Sequence, residues 1–255
     1  MISFDEAQIA QWLSPIIWPF LRVLAVFTSA PVLSSRAFPM RAKIGLSLLV
    51  ALAIQASLPE GPVVSFNDPA ALAVVIQQVV IGLSIGFAVR LVFAAVELAG
   101  EVVGFQMGLN FAAFFDPSMN SQSSAVARFF AQIASLLFVV MNGHLMVMMA
   151  VTQSFVAFPV SPHFLDALAA MQLQKLGAEL FASAMWIALP MVGILLFTNM
   201  ALGIISRVSP QMNIFAIGFP ITLVVGIVGI AVTLPMLDQP FTALMGRVIG
   251  LFVSG

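Results

Sequence analysis

Cysteine is absent from the 255 residues, which excludes disulfides, thiolate metal sites and cysteine nucleophiles. Charge is scarce as well. The 9 Lys or Arg and 10 Asp or Glu make up 7% of the chain, against about 25% in soluble domains. So few ionised groups cannot cover a water-facing surface. The net charge of −1 and the lack of any Lys/Arg run argue against tracking a phosphate backbone, so no nucleic-acid partner is expected. HExxH and the P-loop spacing are missing, which leaves zinc protease and ATPase readings without their chemistry. His144 has no His, Asp or Glu neighbour at ligand spacing and His163 has only Asp166, too few for a metal site. Neither an enzyme, a cofactor nor a metal site is expected. Asp5 and Glu6 stand where a signal peptide would be basic, so no cleaved signal is expected.

What the chain has is apolar length. Hydrophobic residues make up 62% and the mean hydropathy is +1.13. An all-α membrane protein follows. Six apolar segments can be drawn, roughly 12–33, 43–58, 70–96, 125–157, 178–205 and 214–237. A crossing helix needs about 20 residues, so the second is short and the fourth overlong. Asp68-Pro69 predicts a helix start, with Asp68 as cap and Pro69 at the first helical position. No proline then interrupts the chain up to Phe115, a run of about 70 Å if wholly helical. The helix must leave the membrane or break near its glycines. With six crossings, Arg36, Arg41, Lys43, Arg128 and Arg207 share one side and Lys175 and Arg247 the other. The positive-inside rule then places the five-charge side in the cytoplasm.

The stretch 97–124, ELAGEVVGFQMGLNFAAFFDPSMNSQSS, concentrates the unusual features. Gly100, Gly104 and Gly108 fall within about 80° of one another on an ideal helix, flanked by Glu97 and Glu101. Gly82 and Gly86 repeat the spacing that lets helices approach closely. Arg90, Glu97, Glu101 and Arg128 lie in or beside apolar segments, where charge is costly. Structural ion pairs between helices or subunits account for them more simply than a proton relay. Arg22 also lies inside an apolar segment. The Met and Phe residues of 105–149 read either as core or as a deformable seal. Composition does not choose between these.

GEVVGFQMGLNFAAFFDP at 100–117, SRVSPQMNIFAIGFPIT at 206–222 and FPMRAKIGLSLLVALAI at 38–54 resemble the FliR family of flagellar type III export-gate proteins. The SctT subunits of virulence secretion systems are related to that family. The resemblance covers nearly the whole chain. It implies a subunit of a pseudo-helical, hetero-oligomeric gate built with FliP and FliQ in the bacterial inner membrane, at the flagellar basal body. FlhB and FlhA are further partners that it implies, and unfolded flagellar subunits are the cargo. A FliP-like portion at 1–176 and a FliQ-like hairpin at 177–255 follow from it. So does a pore plug at 111–124. Met107, Phe111, Phe114, Phe115 and Met119 would then form an apolar constriction, Asp116 and Pro117 the helix end, and Ser118 and Asn120 part of a displaceable polar segment. Arg207, Pro210, Gln211 and Asn213 match the family's hairpin motif and are expected at a cytoplasmic contact. The competing expectation is a proton- or solute-coupled secondary transporter relaying through Arg90, Glu97 and Glu101. Its natural support, an inverted repeat, is not evident by inspection.

Overall fold

The computed structural model describes residues 6–59, 62, 64, 68–109, 123–209 and 214–253. Those residues form α1 (Glu6–Ser29), α2 (Met40–Gln55), α3 (Pro69–Gln106), α4 (Ala125–Val140), α5 (Gly143–Ala157), α6 (Phe164–Ala170), α7 (Gln174–Val208), α8 (Ile214–Thr233) and α9 (Asp238–Gly250). A 3-10 turn at Leu234–Met236 joins the last two. No strand occurs among the described residues. The all-α class expected from hydropathy holds.

Local chemistry sets the helix limits. α3 begins where Asp68 Oδ1 accepts the Ala70 N–H at 2.8 Å, with Pro69 ahead of it needing no donor. The overlong fourth segment is two helices. Asn142 takes a left-handed conformation (φ 55°, ψ 34°), and the chain bends by 68° between α4 and α5. Asparagine tolerates that region better than most residues.

Among the described residues, four helices are long and apolar enough to cross a membrane, five if the bent pair counts as one span. The 16-residue α2 rises about 24 Å, less than the roughly 30 Å hydrocarbon core.

The chain divides into two compact units, each built from separated segments. The first comprises Met1–Leu91, Phe138–Gly177 and Met245–Gly255. In its core Val23, Val26 and Phe27 of α1 are buried, as are Ile81, Ile85 and Ala88 of α3 and Val147 and Ala150 of α5. α1 reaches α3 where Gly82 faces the Arg22 carbonyl and Ala25, and Gly86 faces Ser29; neither glycine has room for a methyl. The second unit comprises Val92–Leu137 and Ala178–Leu244. Val92, Ala95, Val96, Ala99 and Val103 of α3 form its spine, with Ala127 and Ala134 of α4 and Ala188 and Leu195 of α7 also buried. Phe93 and Phe241 meet edge to face at 5.9 Å.

Burial is uneven along the chain. The most apolar window of α3 is 56% buried, whereas those covering α7 and α8 are 28% and 22% buried. Trp186, Phe197, Met200 and Val208 of α7 and Val228 and Val232 of α8 are all exposed. Apolar surface of that extent belongs against lipid or other subunits.

Candidate functional site

The site is the junction of α3 with α4 in the second unit, and it begins with how α3 stops. The Leu109 N–H donates to the Gly104 carbonyl at 3.2 Å and the Gly108 N–H to that of Phe105 at 3.0 Å. Gly108 has φ +78°. This paired 6→1 and 5→2 pattern around a left-handed glycine is the Schellman cap, which satisfies two of the helix's last carbonyls. α3 therefore ends at Gln106, because a local backbone motif around Gly108 outweighs the apolar run that continues to Phe115. Gly108 acts through its conformation here. The nearest atom to an added Cβ, in Phe219, would be at an ordinary 3.4 Å.

Fourteen residues later the chain returns to α3 at Ser123. Ser123 Oγ donates to Glu97 Oε1 at 2.8 Å, and the Ser124 N–H donates to Glu101 Oε2 at 3.0 Å. Ser124 caps α4: its hydroxyl accepts the Ala127 N–H at 3.1 Å and its carbonyl the Arg128 N–H at 3.0 Å. In a capping box a Glu three residues into the helix reaches back to the cap residue's N–H. Position three here is Ala127, and Glu101 of the preceding helix supplies the carboxylate instead. Both glutamates are half-buried beside the start of α4, where negative charge complements the helix dipole. One turn apart on α3, they clasp two consecutive residues.

The glycines let the helices come that close. A Cβ on Gly100 would lie 2.9 Å from the Ala127 Cα, and one on Gly104 would lie 2.8 Å from Ser124 Oγ. Met107 is 1% exposed and lies over Gly226 of α8, whose neighbour Thr222 points its hydroxyl at the Met107 carbonyl at 3.4 Å. Met107, expected in an apolar constriction of the assembled gate, has its side chain buried within its own unit. An apolar groove of about 270 Å³ opens beside it, lined by Leu109, Val126, Phe129 and Ile227 among others.

Phe111, Phe114, Phe115, Asp116, Pro117, Ser118, Met119 and Asn120 lie outside the described residues, as do Pro210, Gln211 and Asn213. Arg207 is exposed in the last turn of α7. Arg90 and Arg128 are exposed on α3 and α4. Among the described residues, no group of three or more His, Asp or Glu comes together that could hold a metal ion. Removing the Glu101 carboxylate (Glu101→Ala) should cost the α4 cap about 1 kcal/mol and speed amide exchange at Ser124 about fivefold. Glu101→Gln, which keeps an acceptor, should recover most of that protection; hydrogen–deuterium exchange reads both.

Sequence reasoning noted Arg22 but gave it no role. In the first unit its side chain is fully buried. Nε donates to Gln78 Oε1 at 2.9 Å, Nη1 to Ser154 Oγ at 2.8 Å and Nη2 to the Phe158 carbonyl at 3.0 Å. The guanidinium also lies 3.6 Å from the centroid of the Phe155 ring. Phe158 caps the C-terminus of α5, so the cation sits at the negative end of that helix. Gln78 passes the network to Gln77, which bonds the Pro159 carbonyl and Ser161. The adjacent Gln77 and Gln78 inside an apolar run were the available signal.

Comparison with known proteins adds a lineage to this geometry. The family described as bacterial export proteins, family 1, matches residues 13–248. The flagellar biosynthetic protein FliR of Escherichia coli K12 is 41% identical over 243 residues, 94% of this chain and 92% of that protein. The FliR of Pectobacterium carotovorum is 40% identical over 94% of this chain and 92% of its own length. That of Bacillus subtilis is 27% identical over 86% and 85%.

Proposed function

The chain belongs to bacterial export protein family 1, and from that premise we propose that it is a non-enzymatic subunit of the flagellar type III export gate. In this reading it helps form, and closes, an inner-membrane pore through which unfolded flagellar subunits pass. FliP and FliQ are its partners in the gate, with FlhB and FlhA alongside. Residues 1–176 are its FliP-like portion and 177–255 its FliQ-like hairpin. The broad exposed apolar faces of α7 and α8 are what such a hairpin needs to meet neighbouring subunits or lipid.

The observation that carries the reading is the clasp of Ser123 and Ser124 by Glu97 and Glu101. Together with the glycine cap at 108, it anchors both ends of the segment 110–122 on one helix end. A plug must be held firmly at its base while its tip yields to cargo. Arg90 lies exposed and both glutamates are engaged by serine groups, an arrangement that speaks against a transporter's relay.

Deleting 117–122, which spares Ser123 and its bond to Glu97, should raise ion conductance through the gate assembled with FliP and FliQ. Assembly is checked by co-purification and conductance in planar bilayers. An assembled gate whose conductance is unchanged would rule out the plug.

A further inference from the structure

Within the first unit, α2 is too short for a membrane and thinly covered by its own chain. It packs on α1 and fully buries only Ser47 and Ala51. Ile44, Leu48, Leu49 and Leu52 stay exposed over a broad face. With 16 residues against a hydrocarbon core of roughly 30 Å, a helix starting among the headgroups ends inside the apolar layer. Charge marks which end that is. Arg36, Arg41 and Lys43 cluster at the start of α2, and no Asp or Glu occurs in the sequence between Glu6 and Glu60. Arg36 and Arg41 are exposed. Lys43 is half-buried, and its Nζ donates to the Ser34 carbonyl at 2.9 Å. An ammonium has further N–H bonds to give, so this contact aims the cation without exhausting it.

Lys43 also lines, with Phe27, Leu33, Phe38, Leu46 and Leu49, an apolar groove of about 310 Å³. The helical spacing of 43, 46 and 49 runs the groove along one side of α2, away from its charged first turn. Cations at one end and hydrocarbon walls along the length match a ligand with an anionic head and an apolar tail. A helix of another protein could cover the walls, but it would need acidic side chains placed opposite all three cations. Anionic headgroups supply that charge wherever the start of α2 meets the membrane surface. We propose that α2 and the loop before it bind an anionic phospholipid. Its phosphate accepts from Lys43, Arg36 and Arg41 add positive charge at the headgroup level, and one acyl chain lies along Phe38, Leu46 and Leu49. Hydrocarbon is equally at home in the bilayer, so the groove positions the chain and the cations give the preference.

The test places the full chain, in the complex with which it purifies, in nanodiscs of phosphatidylglycerol and phosphatidylcholine in equal amounts. In separate samples one lipid or the other carries a photoactivated diazirine midway along an acyl chain, and peptide mass spectrometry maps the labelled residues. The phosphatidylglycerol probe should label residues 27–49 at least about fivefold more than the phosphatidylcholine probe, the factor expected from one cation at an anionic surface. Arg36→Gln, Arg41→Gln and Lys43→Gln combined should abolish that excess. Ala42→Phe fills the groove from an exposed position and keeps the charges, so it should reduce labelling by both probes. Lys175→Gln is the control: this exposed cation of α7 lies outside the groove, and its loss should change neither signal. Equal labelling by the two probes overturns the proposal, and this comparison needs no variant to fold. So does labelling of 27–49 by neither probe because another subunit fills the groove. An excess that survives the triple variant, or labelling unaffected by Ala42→Phe, overturns it as well.

Discussion

Replacing Arg22 by alanine should destabilise the first unit by about 3–5 kcal/mol, since three acceptors lose their donors and a large buried volume empties. The acceptors are Gln78 Oε1, Ser154 Oγ and the Phe158 carbonyl, each left without the N–H that now reaches it. The carbonyl belongs to the C-cap of α5, where the helix dipole adds to the demand for a positive partner. For a chain of this length such a loss lowers the midpoint of thermal unfolding by roughly 10 °C. Two further variants separate the causes. Arg22→Met restores volume but no donor, and should recover less than half of the loss. Arg22→Lys keeps the charge, but a single ammonium cannot match the fork that serves Gln78, Ser154 and Phe158 together. Thermal or denaturant unfolding in mild detergent measures all three. An alanine variant within about 1 kcal/mol of the parent would mean that water takes over the guanidinium's bonds.

The second large effect is expected at Gly100. The ideal Cβ of any residue there would stand 2.9 Å from the Ala127 Cα and 2.9 Å from the Phe130 Cβ. A backbone atom on a neighbouring helix cannot step aside as a side-chain tip can. Gly100→Ala gains up to about 1 kcal/mol of helix propensity, but overpacking costs about 1–3 kcal/mol, so the net change is destabilising or neutral. Gly100→Val adds two methyls, gains less propensity and should cost about 3 kcal/mol or more. The separation of α3 from α4 also sets the reach of Glu101 to the Ser124 N–H, so the valine variant should expose that amide to exchange as well. Adding Ala127→Gly should not rescue it, because the contact is with Cα. Gly193, in the interior of α7 with nothing within 4 Å of its Cβ position, provides the contrast. There alanine should be neutral or stabilising by up to about 1 kcal/mol. If Gly100→Ala and Gly193→Ala melt alike, the close approach of α3 and α4 is not what sets stability.

The reach of sequence reasoning is clearest along α3. Its start was legible because Asp68 and Pro69 act on their immediate neighbours, and the observed cap is between Asp68 and Ala70. Its end was legible only as a break somewhere near the glycines, because hydropathy stays high through Phe115, whereas the stop depends on the backbone sign of φ at Gly108. Glycine spacing marked candidate contact positions at 82, 86, 100 and 104, but nothing in the spacing says which helix fills each one. The same limit applied to Glu97 and Glu101. Charge in an apolar run demanded partners, and basic groups across an interface were the natural guess. Within the chain, a hydroxyl and an amide N–H brought back by the fold are among their partners.

Composition by itself determined that this chain is a helical membrane protein, because too few charges remain to solvate a water-facing surface. Its motifs pointed to the export family. Only the tertiary structure decided what the buried polar groups do. Arg22 meets Gln78, Ser154 and Phe158 across separations of 56, 132 and 136 residues. Ser124 returns to Glu101 across 23. Helix periodicity reports only which residues share a face over a few turns, whereas the partner of a buried donor is chosen by whichever backbone the packing brings within about 3 Å. At the junction that anchors 110–122, the sequence supplied the carboxylates and the glycines, and the close approach of α3 and α4 made them a clasp.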